Sequence, residues 1–418
     1  MSEPNKENLI YDWNTSDPSR TVHREKTIEF DDESLRDGLQ SPSVRDPNID
    51  EKIQILHLMN ELGIHTADIG LPGAGPRARK DVIRLAKEIA DQKLSIGANC
   101  AARTLRVDIE PIVEASQASG IPVEACLFIG SSPIRQYAED WTIDRMLKHT
   151  EEAVSYAVGE GLPVMYVTED TTRADPETIR QLYTTAVEAG ASRVCVCDTV
   201  GHVTPEGTRS LLAYVAQVVR STGRDYVKID WHGHRDRGLG VANALAAVDA
   251  GADRIHGTGL GVGERVGNCE MDLLLVNCKL LGLIDNDLRK LPDYCEAIAK
   301  ATGVPLPRNY PVIGEDAFET ATGVHAAAVI KAFKKGDSWL ADRVYCGVPA
   351  SEVGREQKIR IGYMSGKSNV LFWLERRGIA ASDELVQEIF DRAKKTDRLL
   401  SDEEVQEIVD HHLATHSS

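Results

Sequence analysis

Short apolar runs alternate with longer amphipathic stretches along most of the chain from Lys26 onward. The apolar runs have the length of β-strands and are bounded by Gly or polar residues, whereas the stretches between them place apolar residues at helical spacing. The predicted strands are Thr27–Phe30, His65–Ile69, Leu94–Ala98, Val123–Ile129, Val164–Val167, Arg193–Cys197, Val227–Trp231 and Arg254–Gly257. The predicted helices between them include Asp50–Leu62, Arg77–Ala90, Arg145–Val158, Pro176–Ala189, Thr204–Val219 and Val241–Ala250.

This alternation predicts an α/β fold, and specifically a closed (β/α)8 TIM barrel. Eight strands and their helices fit the span of about 250 residues that such a barrel normally occupies. The alternative is an open doubly wound sheet, which would favour a GxGxxG turn after the first strand. The segment Asp37-Gly38-Leu39-Gln40 is not such a turn, so the pattern favours the barrel.

The pattern changes after Leu281, where helical segments predominate. Predicted helices there are Leu291–Ala301, Gly323–Phe333, Asp383–Ala393 and Asp402–His411. We therefore predict three parts: an N-terminal extension (1–24), a catalytic TIM-barrel domain (25–285) and a mostly helical C-terminal subdomain (286–418).

The charge of the chain limits its partners. The formal net charge is -17, which argues against a nucleic-acid or anionic-membrane surface, because such a surface needs clustered basic residues. Met1–Arg20 lacks the apolar core of a signal peptide, and no apolar run approaches the roughly 18 residues of a membrane span. Cys195 and Cys197 lie at alternating strand positions, without the second pair that a zinc site needs. We expect a cytoplasmic protein with free thiols.

Candidate chemistry concentrates at strand ends, where TIM barrels place their active sites. His232 and His234 are two residues apart at the end of the seventh strand, so both side chains point to one face. Asp37 follows the first strand. Two imidazoles, one carboxylate and a neutral oxygen suit an exchangeable divalent metal such as Mn, Zn, Co or Mg. A lone His is usually structural, but this spacing predicts a metal site.

Several segments resemble the signatures of the DRE-TIM metallolyase family. They are Leu35–Gln40 (LRDGLQ), His232–Asn243 (HGHRDRGLGVAN), Gly261–Asn268 (GVGERVGN), Thr168–Arg173 (TEDTTR) and Cys197–Gly201 (CDTVG). Their order and spacing are most similar to those of the Claisen-condensing members, the 2-isopropylmalate and homocitrate synthases. The resemblance extends from Thr27 to about Leu374.

The resemblance implies roles for residues of the first, seventh and eighth strand ends. Asp37, His232, His234 and Asn268 would ligate the metal. Arg36 would lie beside the keto oxygen of the substrate and stabilise the developing alkoxide, as positioned cations do for oxyanions.

The same resemblance implies a substrate pocket and a catalytic pair. Gln40 and Thr199 would bind the substrate, and Thr199 would do so by contacting the carboxylate of the 2-oxo acid. Glu169 would face the acceptor. His325 and Tyr345 match a His and a Tyr that the condensing members supply from their helical C-terminal region, often to the neighbouring subunit of a homodimer. Without the resemblance, both would be interpreted as packing or surface residues.

The implied activity is that of an acyltransferase that condenses acetyl-CoA with a 2-oxo acid, giving a 2-alkylmalate and CoA, as in leucine biosynthesis. Alternatives are a homocitrate- or citramalate-type synthase, a C–C lyase of the hydroxymethylglutaryl-CoA type, and a barrel retained as a non-catalytic scaffold. The lyases carry a catalytic Cys in the Gly-rich loop, whereas this chain has Cys269 only after Asn268. Because the chain ends soon after the helical region, we expect no feedback inhibition through a regulatory domain.

The chain departs from the family pattern at positions that bear on substrate choice. Arg235 replaces a usual Asn, Arg135 a usual His, and Asp68 a usual Glu, and Asp31–Ser34 precedes the first motif where relatives carry Asp-Thr-Thr. Two additional guanidiniums would bind a second carboxylate or a phosphonate on the acceptor. Alternatively, both arginines pair with neighbouring carboxylates and never contact the substrate.

Overall fold

The computed structural model describes Lys6, residues 9–15 and residues 27–416. The predicted N-terminal extension, residues 1–24, therefore lies largely outside the described residues. The chain divides into two compact units. The first contains the chain up to Asp287 together with Asp293–Pro305, and the second contains Leu288–Pro292 and the chain from Leu306 onward.

Within residues 27–416, eight parallel strands close into a barrel in sequence order, which confirms the predicted TIM-barrel fold. The strands are β1 (Glu29–Asp32), β2 (Thr66–Asp68), β3 (Gly97–Arg103), β4 (Val123–Gly130), β5 (Val164–Glu169), β6 (Arg193–Asp198), β7 (Lys228–Gly233) and β8 (Arg254–Gly257). Pairing of β1 with β8, in which Phe30 lies opposite Ile255, closes the barrel. The carboxyl ends of the first and last strands consequently lie side by side.

Helices follow the strands and cover the outside of the barrel. They are α1 (Ile49–Glu61), α2 (Pro76–Gln92), α3 (Arg106–Ser119), α4 (Pro133–Glu139), α5 (Ile143–Gly159), α6 (Pro176–Ala189), α7 (Pro205–Ser221), α8 (Gly240–Asp249), α9 (Met271–Leu280) and α10 (Leu291–Thr302). Asp175 and Thr204 cap α6 and α7, since each side chain accepts a hydrogen bond from a backbone N–H in the first turn.

The prediction of the third strand as Leu94–Ala98 was wrong, because β3 spans Gly97–Arg103 and so begins three residues later and ends five residues later. The segment Leu94–Ile96 belongs instead to the turn that follows α2. Lys93 ends that helix at a φ of +53°, and the N–H of Leu94 still bonds to a carbonyl of the helix. The apolar run therefore marked the entry to the strand and not the strand itself.

A network of buried ion pairs fills the barrel interior at the amino-terminal part of the strands. The guanidinium of Arg254 lies 2.6 Å from Asp230 and 2.6 Å from Glu124. Arg193 contacts Asp230 at 2.9 Å and also pairs with Glu29. Each of these charges has an opposite partner at hydrogen-bond distance, which offsets part of the cost of removing it from water.

The second unit is mostly helical. Its elements are β9 (Glu319–Thr320), α11 (Gly323–Lys334), α12 (Ser338–Arg343), β10 (Lys358–Ile359), α13 (Lys367–Arg376), α14 (Asp383–Lys394) and α15 (Asp402–His416), with β9 and β10 pairing in parallel. Trp373 lies in a core formed by the last three helices, and its indole N–H donates to Asp402 at 2.9 Å. The further helices expected after the barrel are thus present.

Two properties of the chain bear on its environment. All eight cysteines fall within the described residues, and each is a free thiol. Across the described parts of the chain, no helix combines the length and the apolar character that crossing a bilayer requires.

Candidate active site

The candidate active site is a cavity of about 320 Å³ in the barrel unit. Most of its lining side chains come from the carboxyl ends of the strands and the loops that follow them, as expected for this fold, and others lie farther back on β4, β5 and β6. The lining residues are Glu33, Arg36, Asp37, Gln40, Leu71, Ala101, Cys126, Phe128, Met165, Val167, Glu169, Cys195, Cys197, Thr199, His232, His234, His256, Glu264 and Arg265.

Three buried side chains in this cavity converge as metal ligands do. One ligand atom each from Asp37, His232 and His234 lies within 4.8 Å of the others. The Nε2 atoms of His232 and His234 lie 4.0 and 3.5 Å from Oδ2 of Asp37. The two histidines share a face because they are two residues apart on an extended backbone, and closure of the barrel brings the loop after β1 to them.

Asn268 completes this group from the loop after β8. Its Nδ2 donates to Oδ2 of Asp37, while its Oδ1 is buried and has no hydrogen-bond partner among the described residues. Gly263 lies against that oxygen with a φ of +155°, and a Cβ at this position would collide with it. A buried oxygen without a hydrogen-bond partner, on a side chain that contacts Asp37, fits a ligand of a divalent cation.

The protonation of His234, unlike that of His232 in the absence of a cation, fits a metal ligand. Burial, together with the neighbouring His232, lowers the pKa of His234 to about 4, so its ring is neutral. Burial lowers the pKa of His232 as well, but the carboxylate of Glu33 more than offsets this and raises the pKa. Neutral imidazole is the form that binds metals, and a bound cation would itself favour that form at both rings.

Glu33 is a site residue that the sequence analysis noted only as a departure from the family pattern. Its carboxylate lies 2.7 Å from Nδ1 of His232, 3.1 Å from Nδ1 of His256 and 3.0 Å from the guanidinium of Arg36. If Nδ1 of His232 donates to this carboxylate, the lone pair of Nε2 faces Asp37. The sequence did contain a signal for Glu33, because this residue immediately follows β1 and strand ends are where the active site is expected.

Arg36 is held in the cavity by three carboxylates. Its guanidinium lies 2.6 Å from Asp68, 2.7 Å from Asp37 and 3.0 Å from Glu33. All three carboxylates are buried, whereas the arginine side chain remains 17% exposed toward the cavity. The guanidinium is therefore fixed in direction beside the metal-type cluster, which is the group formed by Asp37, His232, His234 and Asn268. A group that stabilises developing negative charge must be oriented in advance in this way.

Three further predicted residues, Gln40, Glu169 and Thr199, line the same cavity. The hydroxyl of Thr199 accepts a hydrogen bond from the backbone N–H of Asp170 at 2.8 Å, which positions it. Burial raises the pKa of Glu169 above its usual value, although Arg135 acts in the opposite direction.

The two arginines that depart from the family pattern have protein partners. Neither Arg135 nor Arg235 is among the described residues that line the cavity. Arg135 lies 3.4 Å from Glu139 and 3.6 Å from Glu169. Arg235 pairs with Glu270 and donates to the carbonyl of Val266 at 2.9 Å. These contacts favour the interpretation that both arginines form ion pairs, and a role in substrate binding stays a prediction.

Arg265 is a second lining cation, and the sequence analysis did not single it out. It donates to Asp236 at 2.7 and 3.0 Å and to the carbonyl of Thr199 at 2.6 Å. Its backbone φ is +56°. These bonds join the loops after β6, β7 and β8 at the mouth of the cavity.

The predicted catalytic pair lies in the second unit. The rings of His325 and Tyr345 stack with centroids 4.3 Å apart and planes inclined by 28°. His325 is in the first turn of α11, and both side chains are exposed. The structure therefore brings these two residues together.

Comparison with known proteins places the chain among named synthases. Residues 27–298 match the HMGL-like family. A homocitrate synthase of Methanopyrus kandleri is 33% identical over 90% of this chain and 90% of its own length. A 2-isopropylmalate synthase of Sulfolobus acidocaldarius is 32% identical over 88% of this chain and 90% of its own length. A citramalate synthase of Methanocaldococcus jannaschii is 30% identical over 87% of this chain and 70% of its own length.

Solved structures with a similar fold include the HMG-CoA lyase of Bacillus subtilis. It has a TM-score of 0.56 at 20% identity and covers 68% of this chain and 96% of its own. This likeness supports the barrel fold alone, since the identity is low. The family match, in contrast, spans all eight barrel strands and every candidate metal ligand. The chain therefore belongs to the HMGL-like family of TIM-barrel enzymes, as its sequence motifs predicted.

Proposed function

We propose that this protein is an acyltransferase that condenses acetyl-CoA with a 2-oxo acid. The observation that carries the proposal is the buried group of Asp37, His232, His234 and Asn268 beside the fixed guanidinium of Arg36. The names of the relatives, which are homocitrate, 2-isopropylmalate and citramalate synthases, point to the same reaction type.

Asp37, His232, His234 and Asn268 would hold a divalent metal through two nitrogen and two oxygen donors. When bound, Mn, Zn, Co or Mg would supply Lewis-acid polarisation of the keto and carboxylate oxygens of a 2-oxo acid. The unpartnered Oδ1 of Asn268 and the neutral ring of His234 support this assignment.

Arg36 would donate hydrogen bonds to the keto oxygen as it gains charge. Three carboxylates already orient its guanidinium, so little reorganisation is needed when the charge develops. Thr199 and Gln40 would bind the carboxylate end of the acceptor, which their position on the cavity wall supports.

His325 and Tyr345 would remove a proton from the methyl group of acetyl-CoA. Their stacked, exposed rings support a shared role in which one group accepts the proton and the other orients it. We propose that in a homodimer they serve the cavity of the neighbouring subunit. Glu169, whose pKa is raised by burial, would face the acceptor.

The reaction balances as a Claisen condensation followed by hydrolysis. The methyl carbon of acetyl-CoA loses a proton and bonds to the keto carbon, and the keto oxygen takes up the released electron pair and a proton. Water then cleaves the thioester, giving a 2-alkylmalate and CoA. The product class fits amino-acid or related 2-oxo-acid chain extension, such as leucine biosynthesis, and the eight free thiols fit a cytoplasmic location.

Two other functions find less support. The lyase alternative needs a reactive thiol in the Gly-rich loop, but Cys269 is fully buried after that loop and its pKa is raised well above the usual value by burial. A non-catalytic scaffold has no need for a complete donor set with an unsatisfied buried oxygen.

Release of CoA from acetyl-CoA by the metal-reconstituted protein tests the proposal. The acceptors would be pyruvate, 2-oxobutyrate, 2-oxoisovalerate, 2-oxoglutarate and oxaloacetate. We expect turnover with at least one acceptor, and its loss in His234→Ala. His202→Ala is the matched control, because His202 is exposed on the loop after β6 and outside the cluster. Cleavage of hydroxymethylglutaryl-CoA without any condensation would overturn the proposal in favour of a lyase.

A further inference from the structure

The walls of the cavity differ in chemistry from one side to the other. The side formed after β1, β7 and β8 carries charged and imidazole groups, among them Asp37, Arg36 and the two histidines of the metal-type cluster. The side formed by β2 to β6 is mainly apolar or carries thiols. Its apolar and sulfur-bearing lining residues include Phe128, Val167, Met165 and the thiols of Cys126, Cys195 and Cys197, and its polar lining residues are Glu169 and Thr199. An acceptor held by its keto acid group at the charged side would direct its remaining chain toward the apolar side.

Phe128 and Val167 form the accessible part of this apolar wall. On β4 and β5 they are partly exposed, while their neighbours Leu127 and Tyr166 are fully buried. They lie on adjacent strands, since Phe128 pairs with Val167 in the register. Side chains along each strand of a closed barrel point alternately to the interior and to the exterior. Phe128 and Val167 point to the interior, since both line the cavity.

The floor below this wall is also weakly polar. Cys126, Met165, Cys195 and Cys197 pack together as one buried cluster, with Val167 against it. Burial raises the pKa of the Cys195 thiol well above its usual value, so it carries no charge. A sulfur-lined floor accepts a methyl or methylene group at little cost but offers no strong partner to a carboxylate.

The lining cations are already engaged by protein groups. Arg36 is bound by three buried carboxylates, and Arg265 by Asp236 and the carbonyl of Thr199. On the apolar side, Glu169 lines the cavity and contributes an acidic group, which offers no cation to a second carboxylate on an acceptor. Arg135 lies near Glu169 but is not a lining residue.

We infer that the acceptor is a 2-oxo acid whose chain is apolar, and that Phe128 and Val167 determine this choice. The inference rests on the proposed function, because it assumes that the keto acid end binds at the charged side. It favours the alternative in which Arg135 and Arg235 pair with protein carboxylates over the hypothesis of an acidic acceptor. Since an unpaired buried carboxylate is strongly disfavoured, we expect kcat/KM for the best apolar acceptor to exceed that for 2-oxoglutarate by about 100-fold or more.

The test combines an acceptor panel with two variants of one strand. Pyruvate, 2-oxobutyrate and 2-oxoisovalerate are compared with 2-oxoglutarate and oxaloacetate in wild type, Phe128→Leu and Ile129→Val. We expect the apolar acceptors to be preferred, and Phe128→Leu to shift the preference among them toward longer chains. Ile129 is buried on the opposite face of β4, so Ile129→Val is expected to leave the order of acceptors unchanged.

Calorimetric binding of the same acceptors to the metal-loaded protein provides a second measurement without turnover. A higher kcat/KM or tighter binding for 2-oxoglutarate or oxaloacetate than for the apolar acceptors would overturn the inference while leaving the proposed condensation intact. Absence of both turnover and binding with every acceptor would instead overturn the proposed function, and the inference with it.

Discussion

Removing the carboxylate of Glu33 is expected to weaken metal binding, although Glu33 is not itself a proposed ligand. Its oxygens contact Nδ1 of His232 at 2.7 Å and Nδ1 of His256 at 3.1 Å, and the side chain is buried. A carboxylate that accepts from the far nitrogen of a metal-binding histidine fixes the tautomer and the direction of the ring. Without it, His232 is free to present a proton instead of a lone pair toward Asp37.

The magnitude follows from how such partners behave. Loss of a hydrogen-bonded partner of a metal ligand costs about 10- to 100-fold in metal affinity, which corresponds to about 1.4–2.8 kcal/mol. Glu33→Gln keeps one acceptor oxygen but loses the charge, so we expect the lower end of the range. Glu33→Ala leaves both imidazoles and one contact of Arg36 without their partner, so we expect the upper end.

Titration of Mn²⁺ into the apo protein, followed by calorimetry and by the EPR signal of free Mn²⁺, measures the effect without any turnover. Glu264→Gln is the matched control, because Glu264 also lines the cavity but is exposed on the loop after β8. It changes the charge of the site without removing a partner of His232. Equal affinities in wild type and both Glu33 variants, or an equal loss in Glu264→Gln, would refute the positioning role.

Four further predictions concern the loop after β8, the ion pairs inside the barrel, Arg235 and the bound metal. Gly263→Ala should displace Asn268 and weaken Mn²⁺ binding measurably by calorimetry, whereas Gly251→Ala, also at positive φ but with nothing described within 4 Å of its Cβ, should not. Arg254→Met should lower the free energy of unfolding in urea by about 3 kcal/mol, because the buried carboxylates of Asp230 and Glu124 each lose a partner at 2.6 Å while Asp230 keeps Arg193. Arg235→Ala should leave the order of acceptors in the CoA-release assay unchanged, since its guanidinium pairs with a protein carboxylate; a changed order would restore it as a substrate ligand. Free Mn²⁺ at about 100 times its Kd should stabilise the protein by about 2.7 kcal/mol over the chelator-treated form in urea unfolding.

The sequence predicted the placement of those residues whose position depends only on a single strand and the loop directly after it. The spacing of His232 and His234 indicated a shared face, and alternation of strands and helices indicated a barrel whose strand ends meet. Asp37 could therefore be placed near both histidines from the sequence alone. Local patterns were sufficient because they report periodicity, and periodicity is what decides these features.

The partners of these residues could not be predicted, because they come from distant parts of the chain. Glu33 contacts His232 and His256, which lie 199 and 223 residues away in sequence. Arg235 pairs with Glu270 across the loop after β8. A position close to the end of a strand predicts that the side chain lies near the opening of the cavity. Which charged groups meet there depends on the strand register and on the conformation of the loops, and neither can be derived from local sequence.

Closure of the barrel also explains how this site divides its tasks. Because β1 pairs with β8, the charged loops after the first and last strands meet on one side and build the metal-type cluster. In the inference drawn above, the chain of the acceptor would lie on the opposite side, where Phe128 and Val167 on β4 and β5 line the cavity. We therefore expect a substitution at Phe128 or Val167 to change the acceptor without disturbing the ligands, because no proposed metal ligand lies on β4 or β5. On the proposed function, we therefore expect differences in acceptor among relatives to coincide with differences at Phe128 and Val167 in the apolar wall.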